Sequence, residues 1–154
     1  MAYRTAVRKR NLVVLITLLV SGLALFLYWW QTHARSEQEA IRRVLAAMEQ
    51  AAERRQPYAF MRHISDRYLD EDGNNKRMVG QLVFGASRTR EPFEVVVNSP
   101  QIDVTGKSAM VKTTVEVIAG SRQEYRVPIV IRFEKELLGG WMVVWSEGWQ
   151  GTTG

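Results

Sequence analysis

The amino-acid sequence predicts an α+β protein, in which a single N-terminal transmembrane helix precedes a domain of about three helices and about four antiparallel strands. Three observations carry this. From Leu12 to Trp30 the chain reads LVVLITLLVSGLALFLYWW, nineteen residues without a charge. Between Ser36 and Arg88 apolar residues recur every three or four positions, which is the helical period. From Phe93 onward they recur every second position, which is the strand period. Helices segregated from antiparallel strands give an α+β layer architecture.

The apolar run comes first. A helix rising about 1.5 Å per residue over that length matches the hydrocarbon thickness of a bilayer. Arg4, Arg8, Lys9 and Arg10 precede it, whereas the other flank holds Arg35 together with Glu37 and Glu39. The cationic bias places the N-terminus in the cytoplasm and the domain in the periplasm of a bacterial inner membrane, as a single-pass protein. Arg8, Lys9 and Arg10 would lie at one membrane interface, and Tyr28, Trp29 and Trp30 at the other, where amphipathic rings prefer to sit. The run is long for the core of a signal peptide, and Thr32-His33-Ala34 makes a poor cleavage site behind bulky aromatics. Thr17 and Ser21 form one small-residue step of the kind that packs membrane helices, and no GxxxG occurs. The expected organisation is a basic stub at 1–11, the anchor at 12–30, a linker at 31–35, the domain at 36–149 and a flexible tail at 150–154.

Charge excludes one class of partner. The chain carries 21 cations and 16 carboxylates, a net charge of +5. Four of the cations precede residue 11 and no carboxylate does, so the remainder carries only +1. A groove able to neutralise many phosphates is not indicated, and no nucleic acid is expected. Cysteine is absent, which removes disulfides, thiolate ligands and a cysteine nucleophile.

The helices follow. Ser36-Glu37-Gln38-Glu39 fits a capping box. The alternative is that the helix runs on from the apolar run without a break. Ile41, Val44, Leu45 and Met48 share its apolar face, and Pro57 marks its end or the next start. A second helix is expected from Pro57 to about Tyr68, and a third from near Asn75 to about Arg88. Between these two lies ISDRYLDEDGNN, with four carboxylates in seven residues.

The strands complete the order. FEVVVN and QIDV are joined across Ser99-Pro100, which signals a bend or bulge. Thr105-Gly106-Lys107 turns the chain. Ala109, Val111, Thr113, Val115 and Val117 then share a face opposite Lys112 and Glu116. Tyr125, Val127, Ile129, Ile131 and Phe133 alternate with charged residues, and Pro128 asks for an edge or a bulge. Gly139-Gly140 predicts a hairpin. The last run, WMVVWSEGW, is apolar on both faces, which suits a strand in the middle of the packing or one with a covered second face.

This pattern resembles the nuclear transport factor 2-like (NTF2-like, SnoaL-like or cystatin-like cone) superfamily over about residues 36–149. The resemblance rests on the paired helices, the spacing of Asp66, Tyr68, Asp70 and Gly73, and the strand opened by Trp141. It implies a cone-shaped domain with helices packed on a curved sheet. The superfamily spans isomerases, dehydratases, carriers and secretion subunits, so the fold fixes no chemistry. A membrane anchor before such a domain also resembles the VirB8-type subunits of type IV secretion machines.

Three readings compete for the acidic stretch. An EF-hand loop fails, because placing Gly73 at position 6 puts Tyr68 at position 1 and Val79 at position 12. A looser cation site would use Asp70 and Asp72. Acid–base catalysis in the cone would draw on Asp66, Tyr68, Asp70 and His63, with Phe84, Met110, Trp141, Trp145 and Trp149 lining a pocket or a partner surface. The structural reading has Tyr68 buried with its hydroxyl bonded, Gly73 at positive φ, and Asp72, Asn74 or Asn75 capping the third helix. His33 and His63 lie on different elements and form no metal pair. Ser108 and Ser146 have no nearby base.

No cofactor and no metal are expected. The expected partners are the lipid bilayer and a membrane-protein complex or homodimer, with a small-molecule ligand as the alternative. The first functional reading is a non-catalytic binding or assembly module. The second is a small-molecule enzyme or carrier, isomerase- or dehydratase-like, that uses the cone.

Overall fold

The structure, a computed structural model, describes residues 3–88, 93–119, 123–137 and 140–148. Within these, the side chains of residues 3–17, 30–34, 93, 119, 123 and 124 are not described. Helix α1 spans Tyr3–Glu53, α2 Pro57–Met61 and α3 Lys76–Ser87. The strands are β1 Phe93–Thr105, β2 Ser108–Ala119, β3 Gln123–Glu136 and β4 Gly140–Glu147.

Two compact units result, one through Glu37 and one from Gln38 onward. In the first, the predicted anchor lies partly outside the described side chains, as do Arg8, Lys9, Arg10, Trp30 and His33. The side chains from Leu18 to Trp29 are exposed. Among the described residues, no helix is long and apolar enough to cross a membrane. Ser36 lies inside α1 and not at its start, so the unbroken helix replaces the capping box.

The second unit is the α+β domain. Its sheet is an antiparallel meander in the order β1-β2-β3-β4. β1 is one strand through Ser99-Pro100, where the register shifts between Asn98 and Gln101 and Ser99 adopts a φ of 42°. The bend foreseen there is a bulge: it leaves residues on one strand unopposed and increases the local twist. Pro128 lies in the part of β3 that β4 does not reach, since β4 pairing begins at Val130.

One sheet face meets the apolar stripe of α1. Ile41 and Leu45 pack with Ala109, Val111, Val115, Ile129, Ile131, Phe133, Trp141 and Val143, and Val44 and Met48 flank them. Phe133, Ile41 and Val111 are fully buried. The opposite face carries Met110, Lys112, Arg132 and Trp145. The registers place Asp103 opposite Met110, Met110 opposite Arg132, and Arg132 opposite Trp145.

Three expectations are corrected. Met110 does not line the interior, because side chains alternate across a strand and it falls between the buried Ala109 and Val111. Trp141 and Trp145 do not line one common surface. A bulge at Val144 pairs Phe133 with Val143 and Arg132 with Trp145, which turns Trp145 outward while Trp141 is buried. The second helix ends at Met61 rather than near Tyr68, because the chain leaves it to pair with β4.

The two faces should respond differently to truncation. Phe133→Ala is expected to cost about 3–5 kcal/mol in urea unfolding. Met110→Ala is expected to cost about 1 kcal/mol or less. Comparable losses at both positions would contradict this assignment of faces.

Candidate functional site

β4 ends the sheet, so one side of it presents unpaired backbone groups. The segment after α2 satisfies them. Val143 N–H donates to the His63 carbonyl (2.9 Å), and Ser65 N–H donates to the Val143 carbonyl (2.9 Å). Leu69 N–H donates to the Val144 carbonyl (3.1 Å), and Glu71 N–H to the Ser146 carbonyl (3.2 Å). Ile64 forms a parallel bridge with Val143. The acidic stretch is thus a strap along an open sheet edge, which covers the groups that otherwise recruit a foreign strand.

Side chains fasten the strap at several points. The Tyr68 hydroxyl and Ser146 Oγ share a hydrogen bond of 2.5 Å, and both residues are buried. The Ser65 hydroxyl donates to Glu136 Oε1 at 2.6 Å. Arg67 reaches Glu134 at 3.1 Å and Glu136 at 3.6 Å. Gly148 N–H donates to Glu71 Oε1 at 2.7 Å. Gly148 has a φ of 89°, and a Cβ there would collide with the Pro128 carbonyl, so glycine is required where β4 stops.

The loop that follows is organised by Asp70. Its Oδ1 accepts from Asp72 N–H (3.0 Å) and Asn74 N–H (2.7 Å), and its Oδ2 accepts from Asn74 Nδ2 (2.9 Å). Gly73 takes a φ of 81°. Asn75 caps α3, accepting from Met78 N–H at 3.2 Å. Of the three residues named as caps, Asn75 fills the role. A carboxylate already engaged by three donors within its own loop is poorly disposed to a cation, and no group of three ligating side chains assembles among the described residues.

The four catalytic candidates do not converge. Asp66 is exposed and pairs with Lys76 Nζ at 2.8 Å, and that hydrogen bond and charge hold its carboxyl below the usual range. Tyr68 faces Ser146 in the core, and Asp70 faces its own loop. His63 is half-buried. Desolvation first, and then the Arg62 charge, lower its pKa. Asp66, Lys76, Asn75 and Arg77 line an open depression of about 450 Å³. Of the lining candidates, Phe84 lies on α3 edge-on to Tyr58, with ring centres 4.9 Å apart. Trp141 is buried beside Lys135, whose Nζ lies 5.9 Å from the ring centre, and Trp145 stacks under Arg132 at 5.8 Å on the outer face. Trp149 lies outside the described residues. Sequence reasoning missed Ser65, Glu71, Glu136 and the role of Ser146. Only their partners across the fold distinguish them, and local spacing holds no sign of those.

Solved structures share this fold. An NTF2-like superfamily protein from Salmonella enterica superposes with a TM-score of 0.65 at 14% identity, covering 79% of this chain and 96% of its own. The fold is that of the NTF2-like proteins. A putative scytalone dehydratase from Novosphingobium aromaticivorans gives a TM-score of 0.66 at 14% identity, over 74% of this chain and 83% of its own. Bd1075 of Bdellovibrio bacteriovorus gives 0.63 at 14% identity over 71% of this chain, which spans only 39% of that protein. No protein-family model matches the sequence, and no curated protein matches it.

Two predictions test the strap. Tyr68→Phe leaves the buried Ser146 hydroxyl without this partner and should cost about 1–3 kcal/mol by chemical denaturation, as should Asp70→Ala. Neither variant losing stability would contradict these roles. His63 gives the second. Because folding disfavours its protonated form, its contribution is fully present above a pH of about 6.5 and is lost as the unfolded chain takes up the proton below that. The fall in unfolding midpoint between about pH 7.5 and 5.5 should be smaller in His63→Gln than in the parent. An equal or larger fall in the variant would refute the assignment.

Proposed function

We propose that this protein is a membrane-anchored NTF2-like binding or assembly module that works through contacts rather than turnover. The observation that carries the reading is the packing of the domain core among the described residues. There the side chains of Ile41, Val111, Phe133, Tyr68 and Trp141 belong to one buried cluster. The tyrosine hydroxyl that an acid–base site would use is bonded to Ser146 inside that packing. The half-apolar outer sheet face is the contact surface, with Met110, Met142 and Trp145 around Arg132.

The anchor rests on the sequence: nineteen uncharged residues preceded by four cations. On the cationic-flank rule the N-terminus is cytoplasmic, and the domain faces the periplasm of a bacterial inner membrane. The partners that fit are the bilayer itself and a membrane-protein complex or a second copy. A subunit of a secretion machine of the VirB8 type is one such assembly. The rival reading, a small-molecule enzyme or carrier, draws support from the dehydratase names of two structural neighbours. Its chemistry would still need Asp66, Tyr68, Asp70 and His63 to act from places that do not meet.

A photo-crosslinking side chain at Met110 or Trp145, in the full-length protein in its native membrane, should yield discrete protein adducts, and one at Lys107 in the β1–β2 turn should not. Protease added to intact spheroplasts should remove the domain. Absence of adducts together with a protected domain would reject both halves of the proposal.

A further inference from the structure

The α2–α3 pair has an outward side that the fold leaves uncovered. Gly80 is the sole buried residue of α3, and its close neighbour is the Met61 side chain of α2. At 3.6 residues per turn, Met78, Leu82 and Gly85 fall together on the side of α3 away from Val79, Gly80 and Val83. Tyr58 is 80% exposed, Leu82 70% and Met78 45%. Arg77, Gln81 and Arg88 border the apolar group on one flank, all exposed.

The charge within these two segments has one sign. From Arg54 to Ser65, and again from Lys76 to Arg88, there is no carboxylate, while Arg54, Arg55, Arg62, Lys76, Arg77 and Arg88 are present. The rest of the chain beyond the stub holds cations and carboxylates in near balance, so the asymmetry is local. Of the carboxylates between these segments, Asp66 pairs with Lys76 and neutralises that cation, Asp70 bonds within its own loop, Glu71 bonds Gly148, and Asp72 is exposed. Exposed apolar side chains flanked by Arg77, Arg88 and the uncharged Gln81 fit the boundary of an anionic bilayer, where the apolar groups enter the acyl region and the guanidinium groups meet phosphates. A protein partner of ordinary surface would instead be expected to present, and to meet, mixed charge.

We propose that the exposed face of α3 docks on an anionic lipid surface through Met78 and Leu82, held by Arg77 and Arg88. This deepens the membrane-anchored reading by naming the surface that meets lipid, but it does not require residues 12–30 to span a bilayer.

The chain has no cysteine, so Leu82→Cys carries a single environment-sensitive fluorophore. The full-length labelled protein is mixed with nanodiscs of pure phosphatidylcholine, or with about one third phosphatidylglycerol. Its emission should shift to the blue only with the anionic lipid, be quenched by brominated acyl chains, and revert in about 0.5 M salt. Arg77→Gln and Arg88→Gln should each weaken partitioning about five-fold, with unfolding midpoints unchanged. A label at Lys112 on the outer sheet face should not respond. Emission at Leu82 that stays water-like with the anionic discs overturns the proposal. So does a blue shift that depends on protein concentration without lipid, which would seat a second copy there, or one that requires an added membrane-protein extract. Co-purification of the protein with neutral discs in high salt reports on the anchor separately. If the protein does not enter the discs, the Leu82 shift is still expected on phosphatidylglycerol vesicles.

Discussion

A four-stranded meander has two open edges, and each presents backbone donors and acceptors that must find partners. At β4 the partner is the chain segment from His63 to Glu71, which lies along the strand and exchanges hydrogen bonds with Val143, Val144 and Ser146. Much of the domain follows from this pairing. In a regular strand successive carbonyls point to opposite sides, so a neighbour meets every second one. Here the adjacent carbonyls of Val143 and Val144 both accept from the strap. The bulge at Val144 makes that possible, and the same bulge turns Trp145 outward while Ser146 remains inside to meet Tyr68.

The acidity of the strap follows from the same geometry. Three of the four carboxylates there have a specific task of closure. Asp70 folds the loop onto itself, Glu71 reaches the end of β4 at Gly148, and Asp66 neutralises Lys76 beside the start of α3. A short loop that must reverse direction, cap a helix and cover an edge needs many acceptors in few residues, because its own backbone donors are turned inward. Two of the clustered carboxylates, Asp70 and Glu71, thus satisfy backbone donors.

Local chemistry was legible in the sequence and long-range pairing was not. The buried Tyr68, the positive φ of Gly73, the cap at the start of α3 and the break at Ser99-Pro100 each follow from a residue type in a narrow context. The inner face of β2 was equally legible. Alternation from Ala109 and Val111 already places Met110 with Lys112 on the outer side, so its assignment to the pocket ran against the strand period. The end of α2 was different. Ile64 keeps helical spacing with Phe60, but its neighbours gain more by pairing with Val143, eighty positions along the chain in round terms. The face of Trp145 was illegible for a related reason. With apolar residues on both sides of WMVVWSEGW, either register buries something, and the bulge is set by the strap. The catalytic candidates failed to converge because proximity in sequence placed them on a strap whose side chains diverge.

The most direct measurement is backbone amide hydrogen exchange of the folded protein, resolved by residue. If the strap is part of the sheet, the amides of Ser65, Leu69 and Glu71 should exchange as slowly as those of the β2–β3 core. Exchange at those three positions approaching that of exposed loops, while the β2–β3 amides remain protected, would show that the edge of β4 is open and that the acidic stretch serves some purpose other than closing it.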